Sequence, residues 1–260
     1  MTASISELAA LLDDAQRTAH EVPQLDAALP IEDAYKVQHE ILTKHLDRGE
    51  TYIGPKLGFT SKAKMEQMGV DEIIVGFLTD AMDHPADEEL VLEGFVHPRI
   101  EPELVFKLGP AVEVEDGDTV ESLAAKLEAA VTHVAAGMEV IDSRYKDFKF
   151  SLSDVVADNT SAAKFVTGQW VEYPREIGGL DVAFSVDGEV VGHATTDAIL
   201  GDPREAFPQL AQMMLNYGIT VPAGAIILGG SMVEAQWLKP GQVIENRIDT
   251  FAPLSVRVAQ

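Results

Sequence analysis

The chain has 260 residues, 46% of them hydrophobic, which supports a sizeable core in one large domain or in a domain with a smaller N-terminal region. Its 43 acidic residues against 19 basic ones give a formal net charge of −24, a surface that repels phosphate backbones and argues against nucleic-acid binding. There is no cysteine, which excludes disulfides, thiolate metal sites and a cysteine nucleophile. No apolar run reaches about 18 residues, and the opening MTASISELAALLDDAQ has no basic flank before an apolar stretch. Neither a membrane span nor a secretory leader is therefore expected, and a cytoplasmic enzyme fits best. The acids are dispersed (LDDA, DHPADEE, VEVEDGDTVE) and read as solvated loops and helix faces.

In chain order, residues 4–20 predict a helix, with capping-box spacing at Ser4-Ile5-Ser6-Glu7 and an apolar stripe of Leu8, Leu11 and Leu12. Residues 31–47 predict a second, with Ala34, Val37, Ile41 and Leu42 on one face and Gly49 closing it. GPKLGFTSKAKMEQMGV then reads as a glycine-punctuated loop and a short helix. Short apolar runs follow (IIVGFL, ELVLEGF, ELVFKLG), then a helix over about 119–135 and strand character again in MEVIDSR. From 164 onward strands dominate: KFVTGQWVEY, LDVAFSV and EVVGHAT joined by Asp187-Gly188, AIILGG, QVIENRI and LSVRV. One helix interrupts them, capped by Asp202-Pro203 and stopped by Gly218, with Leu210, Met213 and Met214 as its apolar face and Pro208 favouring a kink or a later start. Strands and helices do not alternate regularly. The fold class is therefore α+β: a mixed, mostly antiparallel β core with an N-terminal helical region, divided as 1–80 (helices and lysine loop) and 81–260 (β core).

The run HPRIEPELVF places Glu101 and Glu103 one residue apart inside an otherwise buried strand. Residues i and i+2 of a strand share a face, so the two carboxylates stand roughly 6.5–7 Å apart at Cα and point the same way. Pro102 between them lacks an N–H, which predicts an edge strand or a bulge. Buried like charges need a cation or a proton, and hard oxygen ligands suit magnesium or manganese. Glu139 in AAGMEVID is a third acid in an apolar run, while Asp142 falls in the opposite phase. The 7 histidines show no metal-ligand spacing. His97, beside the pair, reads as structural. Met65, Met68, Met213 and Met214 read as packing, and Trp170 and Trp237 as core or interface.

These motifs resemble the fumarylacetoacetate hydrolase superfamily, in its branch of meta-cleavage hydratases and decarboxylases. The resemblance runs from about residue 30 to the C-terminus on segments in order: GPKLGFTSKAKMEQMGV, GFLTDAM, HPRIEPELVF, GMEVIDSRYKDFKFSLSDVVADNTS, ILGDP, and PAGAIILGG with LKPGQVI. Thr160 stands where the branch usually has alanine, and Gly229-Gly230-Ser231 where many members carry Thr-Gly-Ala. The resemblance implies a fumarylacetoacetate-hydrolase-like β-roll and a Mg2+ (or Mn2+) ion held by Glu101, Glu103 and Glu139. It implies Lys56, Asp158 and Ser161 as catalytic residues, and Arg144 and Lys164 as substrate-binding ones. Lys56 would bind substrate oxygens or the departing carboxylate. Asp158 would move protons or orient its loop, and Ser161 would bond the substrate or cap a turn. Arg144 would read a carboxylate or pair with an acid such as Asp142 or Asp147, and Lys164 would meet a second carboxylate or stand exposed.

The implied activity is decarboxylation of a 2-oxo-3-hexenedioate, with TSKAKMEQMGV and VIDSRYKDFKFSLSDVVADN most like that part of the branch. The alternative is hydration of 2-hydroxypenta-2,4-dienoate. Hydrolysis of an acylpyruvate would need a base–acid dyad that the sequence does not display, and a non-catalytic subunit would not keep three glutamates. The implied partners are a small 2-oxo acid, further copies of the chain, and a complex with a pathway hydratase.

Overall fold

The computed structural model describes residues 3–25, 29–61, 65 and 73–260. Two N-terminal helices open it. α1 (Ile5–Thr18) starts at Ser4, whose side chain accepts from the Glu7 N–H while the Glu7 carboxylate accepts from the Ser4 N–H, as the capping-box spacing predicts. α2 (Ile31–Asp47) buries Ala34, Val37 and Ile41, each large side chain contributing about 1.5–3 kcal/mol through loss of apolar surface to water. The short helix expected after GPKLGF falls largely outside the described residues, and Met68 with it.

The main sheet runs in the order β2 (Ile74–Thr79), β1 (Tyr52–Gly58), β9 (Ile226–Ser231), β3 (Pro98–Leu108), β4 (Val131–Asp142), β5 (Ala162–Thr167). Short β10 (Gln236–Trp237) pairs with β3, and β6 (Val171–Glu172) with β4. A second sheet has the order β12 (Leu254–Arg257), β11 (Val243–Ile248), β7 (Asp181–Val186), β8 (Glu189–Thr195). Every pairing between these strands is antiparallel except β1 with β9, so the mixed, mostly antiparallel core of an α+β fold is what forms. Asp187 and Gly188 both take positive φ, 52° and 82°, and make the expected hairpin turn between β7 and β8.

Strand alternation divides the two faces of the main sheet. Ile100, Met138, Val140 and Val166 pack with Phe184, Ile244, Leu254 and Val256 of the second sheet. Glu101, Glu103 and Glu139 lie in the opposite phase and face away from that core. The helices α3 (Val120–Ala130), α4 (Leu152–Ala157) and α5 (Ala206–Tyr217) lie outside the sheets.

Several expectations are corrected. Lys56 sits in strand β1 rather than in a loop, and β1 and β2 join the main sheet, so a boundary at residue 80 would cut that sheet. Leu8 of α1 and Ile227 of β9 belong to one apolar core. The third helix ends at Ala130, because the β-branched Val131, Thr132 and Val134 that follow pair as β4. ELVLEGF forms no strand; Leu90 makes only a single bridge, to Val258. The 202–218 helix takes the later start that Pro208 favoured, at Ala206 after a 3-10 turn capped by Asp202, which leaves Pro208 in its first turn where no N–H is required. β3 is an interior strand. Pro102 is tolerated there because β9 stops pairing at Glu103↔Ser231 and β10 begins at Ile100↔Gln236, so the missing N–H faces a gap in the ladder. The Pro102 carbonyl accepts from the Met232 N–H in that gap.

Candidate metal centre and active site

β3 and β4 pair with Glu101 directly opposite Glu139 and Glu103 opposite Gly137. The i, i+2 alternation and this register place all three carboxylates on one face, and one oxygen from each lies within 4.8 Å of the others. All three side chains are buried, Glu103 and Glu139 completely. The Gly230 N–H donates to Glu103 Oε2 at 2.5 Å, whereas Glu103 Oε1 is buried with no hydrogen-bond partner among the described residues. Burial, then Glu139, then Glu101 push the Glu103 carboxyl well above the ordinary carboxylate range, against the opposing pull of Lys56 and the Gly230 N–H.

A hard divalent cation fits this donor set. Its protein ligands would be the carboxylate oxygens of Glu101, Glu103 and Glu139, and it would offset like charges that burial otherwise forces toward protonation. Gly230 takes φ +118°, and a Cβ on it would overlap the Thr60 side chain, so only glycine carries the N–H to Glu103.

Lys56 is buried at 3% exposure, opposite Gly76 in the β1–β2 hairpin. Its Nζ lies 3.0 Å from Glu139 Oε2 and donates to the Thr160 carbonyl at 3.0 Å. The Asn159–Ser161 turn that presents this carbonyl has three successive residues at positive φ (48°, 51° and 59°), a conformation that surrounding contacts must impose. Asn159 Oδ1 accepts from the Phe77 N–H at 2.7 Å and its Nδ2 donates to the Phe77 carbonyl at 3.0 Å. Gly76 leaves room for the turn, since a Cβ there would overlap Thr160 Oγ1 and the Asn159 carbonyl. Ser161 Oγ is buried without a hydrogen-bond partner among the described residues.

Asp158 and Arg144 form a separate buried pair. Arg144 Nε donates to Asp158 Oδ1 at 2.6 Å, and the Arg144 backbone N–H donates to Oδ2 at 3.0 Å. Its remaining nitrogens reach the carbonyls of Asp142 and Asp158 at 2.6 Å and of Ala162 at 3.2 Å. Burial pushes the Asp158 carboxyl up to about 6, against the pull of Arg144. The guanidinium is thus committed to Asp158 rather than to Asp142 or Asp147. The Asp142 carboxylate accepts instead from the backbone N–H groups of Val96 and His97. Lys164 donates to the Ala81 carbonyl at 2.6 Å and lines a different cavity, with His84 and Asp142. His97 bonds the Ser143 carbonyl through Nδ1 and Glu21 through Nε2, both at 2.9 Å.

The structure therefore brings Glu101, Glu103, Glu139 and Lys56 together, with Ser161 on the adjoining turn, and holds Arg144–Asp158 behind that turn. A cavity of about 840 Å3 opens beside Glu101, with Phe59, Ile141, Phe150 and Met232 in its wall. Arg99, Lys149 and Ser231 also line it. Arg99 is in the same strand phase as Glu101, and that phase is the signal that could have found it.

The family profile described as Fumarylacetoacetate (FAA) hydrolase C-terminal matches residues 77–259. The chain belongs to the fumarylacetoacetate hydrolase family. It is 40% identical to a 4-oxalocrotonate decarboxylase of a Pseudomonas species over 253 residues, covering 96% of each chain. It is 32% identical over 251 residues to a 2-keto-4-pentenoate hydratase of Paraburkholderia xenovorans, covering 94% of this chain and 90% of that one. The solved 4-oxalocrotonate decarboxylase of Pseudomonas putida G7, complexed with magnesium and adipate, superposes with a TM-score of 0.90 at 32% identity, over 98% of this chain and 97% of that one. This family member thus shares an overall fold with a decarboxylase along nearly its whole length.

Proposed function

We propose that this family member is a divalent-metal-dependent decarboxylase that converts 2-oxo-3-hexenedioate (4-oxalocrotonate) to 2-hydroxypenta-2,4-dienoate and carbon dioxide. The observation that carries the reading is the buried convergence of Glu101, Glu103 and Glu139, in a chain that matches a decarboxylase end to end. The relative complexed with magnesium and adipate supports both the metal and a six-carbon dicarboxylate. Glu101, Glu103 and Glu139 would hold Mg2+ or Mn2+. When bound, the cation supplies Lewis-acid polarisation of the substrate's 2-oxo group.

The chain's own groups do the rest. Lys56, fixed between Glu139 and Thr160, is a cationic donor for a substrate oxygen as negative charge gathers on it. Ser161 Oγ, with no hydrogen-bond partner among the described residues, is a donor on the adjoining turn. Arg144 and Asp158 position that turn, and Lys164 braces the Ala81 carbonyl. No cysteine or serine nucleophile is needed, since the electrons of the breaking carbon–carbon bond pass through the conjugated alkene to the 2-oxo oxygen as carbon dioxide leaves. The dienol product is the kind of compound a hydratase of this family would take up, so homo-oligomers and a complex with such a hydratase belong to the proposal.

The test is a product assay on purified protein, with magnesium or with chelator, on the dicarboxylate and on 2-hydroxypenta-2,4-dienoate in parallel. Magnesium-dependent carbon dioxide release is expected. Release undiminished by chelator would remove the metal. Water addition to the dienoate without carbon dioxide release would replace the decarboxylase by the hydratase.

A further inference from the structure

The cavity beside the glutamates contains a cation that the reaction as described does not use. Arg99 lies two residues before Glu101 on β3 and in the same phase, so its Cα is about 6.5–7 Å from that of Glu101 on the same face. Its guanidinium carbon sits 3.9 Å from the Phe148 ring centroid and 4.0 Å from the Trp237 ring centroid. Trp237 is its register partner in β10, and Phe148 comes from the turn after β4.

Two aromatic rings flank the half-buried guanidinium and shield part of it from water, while Arg99 Nε is buried with no hydrogen-bond partner among the described residues. Glu234 and Glu101 attract it electrostatically, yet no carboxylate of the described residues forms an ion pair with it. A guanidinium flanked by aromatic rings, with N–H groups to spare, is a receptor for a carboxylate, which it can meet with two parallel bonds.

Five carbon–carbon bonds of about 1.5 Å each, extended, span roughly 6 Å, the same reach as two residues of strand. We propose that Arg99 reads the remote carboxylate of a 2-oxo dicarboxylate whose 2-oxo acid end is held at the three glutamates. The assignment rests on the metal-dependent reading of that site. It also predicts what kind of help Arg99 gives. The remote carboxylate loses its charge as carbon dioxide departs, so the Arg99 contact is stronger in the bound substrate than in the transition state. Arg99 therefore supplies affinity and choice of substrate, not rate. Lys149, the other cation among the described residues of the cavity wall, is the rival receptor.

The test is calorimetric binding, in excess magnesium, of two unreactive probes of equal chain length: 2-oxohexanedioate and 2-oxohexanoate. The wild type is expected to prefer the dicarboxylate by about 10- to 100-fold, the range of a charged hydrogen-bonded contact. Arg99→Gln should bind both probes equally, with 2-oxohexanoate affinity unchanged. Arg99→Lys should keep part of the preference, and Lys149→Gln all of it. In turnover, Arg99→Gln should raise KM without lowering kcat. A wild type with no preference overturns the assignment. So does a preference that survives in Arg99→Gln or is lost in Lys149→Gln, or an equal loss of both probes in Arg99→Gln, which would make Arg99 a structural staple. Failure of the decarboxylase reading is seen separately, as an intact preference in a protein that releases no carbon dioxide.

Discussion

Two charged clusters meet at the Asn159–Ser161 turn, one through Lys56 on the Thr160 carbonyl and the other through Arg144 on the Asp158 carbonyl. Both are withdrawn from water, and they are built to opposite ends. In the Arg144–Asp158 pair the carboxylate takes the Arg144 backbone N–H on one oxygen and Nε on the other, and the remaining guanidinium nitrogens find carbonyls. Among the glutamates, Glu103 receives one N–H, keeps a bare Oε1, and is driven toward its protonated form by burial and by its neighbours. A buried charge that is fully matched stabilises a backbone turn. One that is left unmatched holds back interaction energy that a ligand can release.

The sharpest way to break that contrast is to remove one partner from each cluster. Arg144→Met leaves the Asp158 carboxylate buried without its cation. It should cost about 3–5 kcal/mol of stability in denaturant unfolding, with or without magnesium. Glu103→Gln should instead leave the chelator-treated protein as stable as the wild type or more so, because it replaces a group that must either take up a proton or be buried as a like charge. It should weaken magnesium binding by more than about 100-fold, beyond what the loss of an outer-shell partner costs. Isothermal titration with magnesium and melting in chelator read both. Wild-type metal-dependent turnover in Glu103→Gln would sink the triad assignment.

A smaller effect follows from the proton on Glu103. Its pKa in the folded protein lies above the unfolded value, so the stability linked to that proton is present at acid pH and is lost as pH rises through the folded value. A cation at the site displaces the proton. The rise in melting temperature on adding magnesium should therefore be small near about pH 5 and grow toward about pH 8. A magnesium shift that stays constant or shrinks over this window would mean that Glu103 is already ionised before metal arrives.

How much of this was legible in the sequence depended on whether a residue's role follows from its own strand. Glu101, Glu103 and Glu139 are in phase by simple alternation, and the cross-strand register then brings them opposite one another. The capping box of α1 and the Asp187-Gly188 hairpin are equally local, and both form. Pro102 misled in part, because an interior strand can carry proline where two neighbouring strands leave a gap, and a gap is a property of β9 and β10 rather than of β3. The partner of Arg144 could not be read from spacing: Asp158 reaches it only because α4 folds back after the 3-10 turn at Lys146–Phe148. Arg99 shared the phase of the glutamates but drew no notice, since its two aromatic neighbours come from distant segments.

Thr160 supplies the smallest effect, and it separates the turn's backbone from its side chains. The residue takes φ 51° and ψ 33°, a left-handed conformation that β-branching makes harder to hold. Its Oγ1 is buried with no hydrogen-bond partner among the described residues and packs where a Cβ on Gly76 would lie. Lys56 reads the Thr160 carbonyl, not its side chain. Thr160→Ala removes an unmatched hydroxyl, worth about 1–3 kcal/mol when buried, and relieves the branched Cβ. Against this stands roughly 1 kcal/mol for the methyl-sized space left behind. The net expectation is a gain of about 1 kcal/mol, or roughly 2–4 °C in melting temperature, with turnover within about twofold of wild type. A drop in melting temperature would show that the Thr160 side chain packs better than its missing hydrogen bond suggests. A large fall in turnover at unchanged stability would move the Thr160 hydroxyl from the scaffold of the turn into the active site itself.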